Sequence, residues 1–187
     1  GLVASNSRCW GVWFADANTG YIGAGSQSAF TSVILKTTNG GINWTSVYSS
    51  ATNYINNIGG IDANNVLAVW SYGTIVRTTN GGSNWTETAG GLFGFVNSIS
   101  FLNSTTGFAV GGSGKASRTT NSGVTWDSIN TPTTDWTMFQ IKPVSATEVY
   151  AVGHPTFLYK TTDLGTTWTS LSISVPNVYP YIWYSVD

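Results

Sequence analysis

TTNGGINW, from Thr37 to Trp44, returns as TTNGGSNW from Thr78 to Trp85, as TTNSGVTW from Thr119 to Trp126 and as TTDLGTTW from Thr161 to Trp168. The four tryptophans are spaced by 41, 41 and 42 residues. A period of about 40–45 residues with β-type sequence is that of a propeller blade. Upstream of each box the pattern also repeats. A short stretch ends in a base at Lys36, Arg77, Arg118 and Lys160. Before it lies a Gly-rich apolar stretch: GYIGAG, VLAVW, GFAVGG and VYAVG. Before that comes a turn, beginning at Asp16, Asp62, Asn103 and Ser145, and an apolar strand precedes each turn. Each unit therefore reads strand a, turn, strand b, loop, strand c, box, strand d.

The box has a mechanical reading. Gly41, Gly82, Gly123 and Gly165 hold one position, where a backbone angle that opposes a Cβ is expected. Asn39, Asn80, Asn121 and Asp163 are placed to bond the turn's own N–H groups. Trp44, Trp85, Trp126 and Trp168 then open strand d, with a large ring to bury between blades. A residue present in four copies reads as a structural staple.

Thr161, Asp163, Gly165, Thr167 and Trp168 resemble the Asp-box, also called the BNR repeat, and the other three boxes carry Asn in the Asp place. The longer pattern resembles the repeats of photosystem II assembly and stability factor-like propellers, which also occur in secreted bacterial proteins. The resemblance runs over about residues 10 to 171. It implies an all-β propeller but not a function, because Asp-box propellers include sialidases, xyloglucanases, sorting receptors and non-enzymes.

The predicted fold is thus four four-stranded antiparallel blades at about 10–47, 55–88, 96–130 and 137–171. The segment 181–187 reads as the first strand of a fifth, which points to part of a larger propeller or to closure by a homo-oligomer.

Composition narrows the function. Only 8% of the 187 residues are charged, the net charge is −1 and the seven Lys and Arg are dispersed, so nucleic acid is not an expected partner. No apolar run is long enough for a membrane span. With one Cys (Cys9) and one His (His154), neither a metal nor a cofactor is expected.

Paired carboxylates for glycoside hydrolysis are also missing from the loops. Asp16, Asp62, Asp163 and Asp187 fall on repeat positions, and Asp127 follows a box Trp. Glu87 lies on strand d, Glu148 ends a turn, and only Asp135 falls in a d–a loop. Arg77 and Arg118 read as outward strand residues, not as a sialidase clamp.

Topology puts the a–b turns and boxes at one end of each blade and the b–c and d–a loops at the other. The loop end is aromatic-rich, and the expected ligand-binding residues are Tyr72, Trp136, Asp135, His154, Tyr54 and Phe93. The reading leans away from an enzyme. It favours a secreted or surface interaction module for a protein or a glycan. The alternatives are a fragment of a polysaccharide-active hydrolase and an assembly factor for a client protein.

Overall fold

The computed structural model describes residues 7–26, 28–70, 72–89, 94–132, 137–154 and 157–171. These form sixteen strands in four antiparallel sheets of four, each in simple chain order. Blade 1 holds β1 (Arg8–Phe14), β2 (Gly20–Ser26), β3 (Thr31–Thr37) and β4 (Thr45–Ser50). Blade 2 holds β5 (Ile55–Gly60), β6 (Val66–Trp70), β7 (Thr74–Thr78) and β8 (Thr86–Ala89). Blade 3 holds β9 (Val96–Phe101), β10 (Gly107–Gly111), β11 (Ala116–Thr119) and β12 (Asp127–Ile129). Blade 4 holds β13 (Met138–Pro143), β14 (Val149–Gly153), β15 (Phe157–Thr161) and β16 (Thr169–Leu171). The order a, b, c, d read from the repeat is reproduced in every sheet. Strand d begins one residue after the box Trp, at Thr45 in blade 1. The segment 181–187 lies outside the described residues.

The chain divides into two compact units, Gly1–Gly90 with blades 1 and 2, and Gly91–Asp187 with blades 3 and 4. Within each unit one blade packs its sheet face on the next. In the first unit Tyr21 and Ile34 of blade 1 meet Ile55, Ile58, Val66, Ala68 and Val76 of blade 2. In the second, Phe108, Val110 and Ala116 of blade 3 meet Met138, Ile141, Val149 and Ala151 of blade 4. Strand b is the most buried element, every residue of β6 and β10 being inaccessible. It lies between strands a and c, and in each unit it lines the packing between blades, so it reads as a continuous apolar run.

Small residues set the approach distance. A Cβ on Gly60 of blade 2 would lie 2.5 Å from the Trp13 ring of blade 1, and one on Gly11 would lie 2.9 Å from the Ile58 nitrogen. Side chains at these two places would force the blades apart.

Polar tethers join the blades as well. Lys36 Nζ of blade 1 donates to the Gly81 carbonyl in the box of blade 2 (2.8 Å), and Tyr21 Oη donates to the Ala63 carbonyl (2.8 Å). Arg118 of blade 3 repeats the first contact on the Leu164 carbonyl of blade 4 (3.0 Å). Half-buried Arg118 is therefore a blade-to-blade clip, not the outward residue its sequence position suggests. No helix of the described residues is long and apolar enough to cross a membrane.

Candidate binding face

The two ends of the blades differ in chemistry. At the turn end each box closes on itself by one scheme. The box Thr (Thr37, Thr78, Thr119 or Thr161) is buried, donates its hydroxyl to the Asx Oδ1 at 2.8–3.0 Å and accepts the box Gly N–H at 2.9 Å. The same Oδ1 accepts the N–H four residues on, from Asn43, Asn84, Thr125 or Thr167. The box glycines sit at φ of 79° to 89°. Trp44 folds back over its turn and donates Nε1–H to the Gly41 carbonyl at 3.0 Å.

The a–b turns are Asx turns: Asp16 accepts the N–H groups of Asn18 and Thr19, Asp62 those of Asn64 and Asn65, and Asn103 those of Thr105 and Thr106. Box and turn are then joined, Gly40 N–H donating to the Asn18 carbonyl and Gly81 N–H to the Asn64 carbonyl.

These bonds account for the acids. The Thr19 and Asn18 amides lower the pKa of Asp16. Burial raises that of Asp62, but the bonds from Asn64 and Asn65 together outweigh it and the net shift is downward. The Thr167 hydroxyl and amide, helped by Thr161, hold Asp163 at about 2.

Glu87, a free acid by sequence, accepts the Tyr48 hydroxyl at 2.7 Å from the neighbouring blade. Burial first, then this bond and the Glu87 charge, push the Tyr48 phenol far above its ordinary 10, the reverse of what a nucleophilic tyrosinate needs. Glu148 pairs with Lys160 and raises its pKa. Among the described residues no cluster of three His, Cys, Asp or Glu could hold a metal.

The loop end is different. In the first unit Tyr72 is 59% exposed, set by a turn in which Gly73 N–H donates to the Trp70 carbonyl at 3.2 Å, with Gly73 at φ 78°. On the b–c loop of blade 1, Phe30 is 45% exposed and sits at φ 51°, uncommon for an aromatic residue. The Ser26 hydroxyl accepts Ala29 N–H at 3.3 Å and shapes the same loop. Beneath them, Tyr54 is only 6% exposed, with its ring 6.3 Å from Trp10, and Arg8 lies 5.6 Å over Trp10. Trp70 is 2% exposed and its Nε1–H has no acceptor among the described residues.

In the second unit Phe95 is 50% exposed, and its carbonyl is held by Gly112 N–H at 2.8 Å. His154 is half-buried, and its backbone N–H performs the same service on the Thr137 carbonyl at 2.9 Å. Of the six residues expected here, Tyr72 is displayed, Tyr54 lies in the core and His154 is half-buried at a loop anchor. Asp135, Trp136 and Phe93 lie outside the described residues. Sequence reading missed the Tyr48–Glu87 pair. A Tyr and a Glu 39 residues apart, close to one repeat, were the available signal.

Four sheets in chain order, each closed by the same Thr–Asx–Gly–Trp box, make this chain a BNR-like repeat β-propeller. Over residues 93–178 the chain matches the family model of the photosynthesis system II assembly factor YCF48.

Among solved structures the chain is similar to YCF48 bound to D1 peptide, with 18% identity and a TM-score of 0.71 over 94% of this chain and 56% of that one. It is similar to YCF48 from Cyanidioschyzon merolae, with 16% identity and a TM-score of 0.69 over 94% of this chain and 59% of that one. The Niastella koreensis GH74 enzyme matches with 17% identity and a TM-score of 0.69 over 87% of this chain and 30% of that one. The chain thus spans little more than half the length of the YCF48 chains. No curated protein matches it in sequence.

Proposed function

We propose that this chain is a non-catalytic interaction module that binds a polypeptide partner through the loop end of its blades, at the cell surface or outside the cell. The observation that carries the reading is the contrast between the two ends of the first unit. The turn end consumes its polar groups internally, whereas the loop end displays Phe30 and Tyr72 on short, hydrogen-bonded loops. Aromatic rings held this way bury a large area at small entropic cost, which suits an anchor for a partner's apolar side chain.

The YCF48 structure that holds a D1 peptide supports a polypeptide ligand on a propeller of this kind. Each described acid except Asp127 is engaged in a turn, a box or a pair, which counts against hydrolysis. The extracellular setting rests on the charge-poor composition.

The test is selection from a displayed library of linear peptides, run beside an array of polysaccharides, with the native chain and a Phe30→Ser/Tyr72→Ser variant. The native chain is expected to select peptides. The variant should lose at least about tenfold in affinity, a difference of ~1.4 kcal/mol, at an unchanged melting temperature. Binding confined to polysaccharides, or turnover of any of them, would overturn the proposal.

A further inference from the structure

The turn end departs from its closed scheme in one place. Between the boxes of blades 1 and 2 lies a groove of about 350 Å³, lined by Lys36, Thr38 and Val47 of blade 1 and by Gly81 and Ser83 of blade 2. The repeat shows what opens it. In the second unit Leu164 stands where blade 2 has Gly81, and Ile129 where blade 1 has Val47, and both pack against the core there. A Cβ on Gly165 would lie 2.7 Å from Ile129 Cδ1, whereas one on Gly82 would keep 3.3 Å from Val47. Two side chains smaller than their repeat counterparts therefore leave the groove.

Its chemistry is one-sided. Lys36 is half-buried, and its Nζ donates to the Gly81 carbonyl at 2.8 Å and lies 5.5 Å over the Tyr21 ring. An ammonium has three N–H groups, so donor capacity is left for the groove. Thr45, also on the lining, stands opposite Lys36, where blade 3 sets Asp127 opposite Arg118. Cross-strand partners share a face, so the second unit places a carboxylate beside its cation and the first does not. In blade 2, Glu87 is taken by Tyr48 and Asp62 by its own turn. Asn39 and Asn43 add amide donors. In blade 3 the Asx side chain pairs with the Thr125 hydroxyl, and in blade 4 with that of Thr167. Blade 1 has Asn43 in that place, and the Nδ2 groups of Asn39 and Asn43 have no acceptor among the described residues.

We propose that this groove binds a small polyhydroxylated carboxylate. Lys36 and the two amides hold the carboxylate, and the Thr38 and Thr45 hydroxyls meet the hydroxyls of the ligand. One lysine with neutral donors matches a single negative charge. Val47 is the one apolar side chain on the lining, so a hydroxylated body fits where a hydrocarbon would strand the polar groups. The volume is near the lower end for small-molecule sites, which suits one such ligand. The groove lies at the end of the blades away from the loop face, so this binding and peptide binding succeed or fail separately.

Gluconate titrated into the full chain and followed by NMR shifts reads the proposal, with sorbitol as the uncharged body and acetate as the bare charge. Gluconate is expected to bind saturably, and the other two at least about tenfold more weakly, because each lacks one set of contacts. Two transplants from the second unit close the groove. Gly81→Leu with Val47→Ile fills it, and the turn accepts the leucine because Leu164 sits at φ 58°, against 67° for Gly81. Thr45→Asp sets a carboxylate beside Lys36 from an exposed position and leaves the melting temperature unchanged. Each is expected to weaken gluconate at least about tenfold. No saturable gluconate binding overturns the proposal. Sorbitol or acetate binding as tightly as gluconate does so too, as does gluconate binding that survives either the filled groove or Thr45→Asp.

Discussion

The box Thr is worth more than its size suggests. Thr119 is fully buried, and its one hydroxyl donates to Asn121 Oδ1 and accepts from Gly123 and Asn121 N–H. Thr119→Val keeps the shape but strands the Gly123 donor in a buried turn. A loss of about 1–3 kcal/mol is expected in denaturant unfolding, with Thr119→Ser recovering most of it.

Gly41 makes a different case. A Cβ there meets nothing closer than the Trp44 ring at 3.6 Å, so space is not the constraint. Its φ of 89° is. Gly41→Ala should cost about 1–2 kcal/mol through backbone strain alone, and a neutral result in the same unfolding assay would contradict that account.

Asp163 differs from its three Asn counterparts in having two acceptors: Thr167 gives its amide to Oδ1 and its hydroxyl to Oδ2 at 2.6 Å. In blade 3 the polarity is reversed, Asn121 Nδ2 donating to the Thr125 hydroxyl. A carboxyl held at about 2 when folded, against 3.8 ordinarily, contributes its full stabilisation above pH 3.8 and loses it as the pH falls through 2. Melting temperatures measured from pH 5 down to pH 2 should therefore fall further for the native chain than for Asp163→Asn. Parallel curves would mean that the Thr167 bonds do not distinguish the charged form.

At the scale of the element, a blade is joined to the next by one contact scheme, and the scheme explains which parts were readable. Strand order, the boxes and the a–b turns were legible because each is a local pattern repeated four times, with Ser145 in the Asx place of the last turn. The Lys36 and Arg118 clips were not, although a base in all four repeats marked the place. Their acceptors are backbone carbonyls of the following blade, and a carbonyl leaves no signature in sequence. Exposure at the loop end was only partly legible for a related reason. Tyr54 and Trp70 flank loops just as Tyr72 does, but Trp70 ends β6 opposite Ile55, and Tyr54 immediately precedes Ile55 at the start of β5, so both turn into the core.

The contact scheme also makes a prediction. Tyr48 lies on the outermost strand of blade 1 but bonds Glu87 and packs 5.9 Å from the Trp85 ring. Tyr48→Phe keeps the ring contact and removes the hydroxyl, so a loss of about 1 kcal/mol is expected. Tyr48→Ala should lose about 3 kcal/mol or more, because a half-buried ring is removed from between two blades. Equal losses for the two variants would mean that the blades are held there by the hydrogen bond and not by packing.

For the molecule as a whole, stability in a repeat protein is a sum of units and nearest-neighbour interfaces. The four copies allow the interface part to be isolated at one position. Ile58 and Ile141 lie under a neighbouring blade, and Val12, at the same place in the same strand pairing, does not. If strand propensity set the contribution of this position, truncation would cost a similar amount everywhere, since all three residues are β-branched. If the interface sets it, Ile58→Ala and Ile141→Ala should each lose about 2–5 kcal/mol by combined transfer and cavity effects. Val12→Ala in dilute solution should then stay within about 0.5 kcal/mol of the native chain. The measurement is urea unfolding of the three variants at one low protein concentration, which separates interface from propensity. A loss at Val12 as large as that at Ile58 in dilute solution would place the stability of the propeller inside its blades instead of between them.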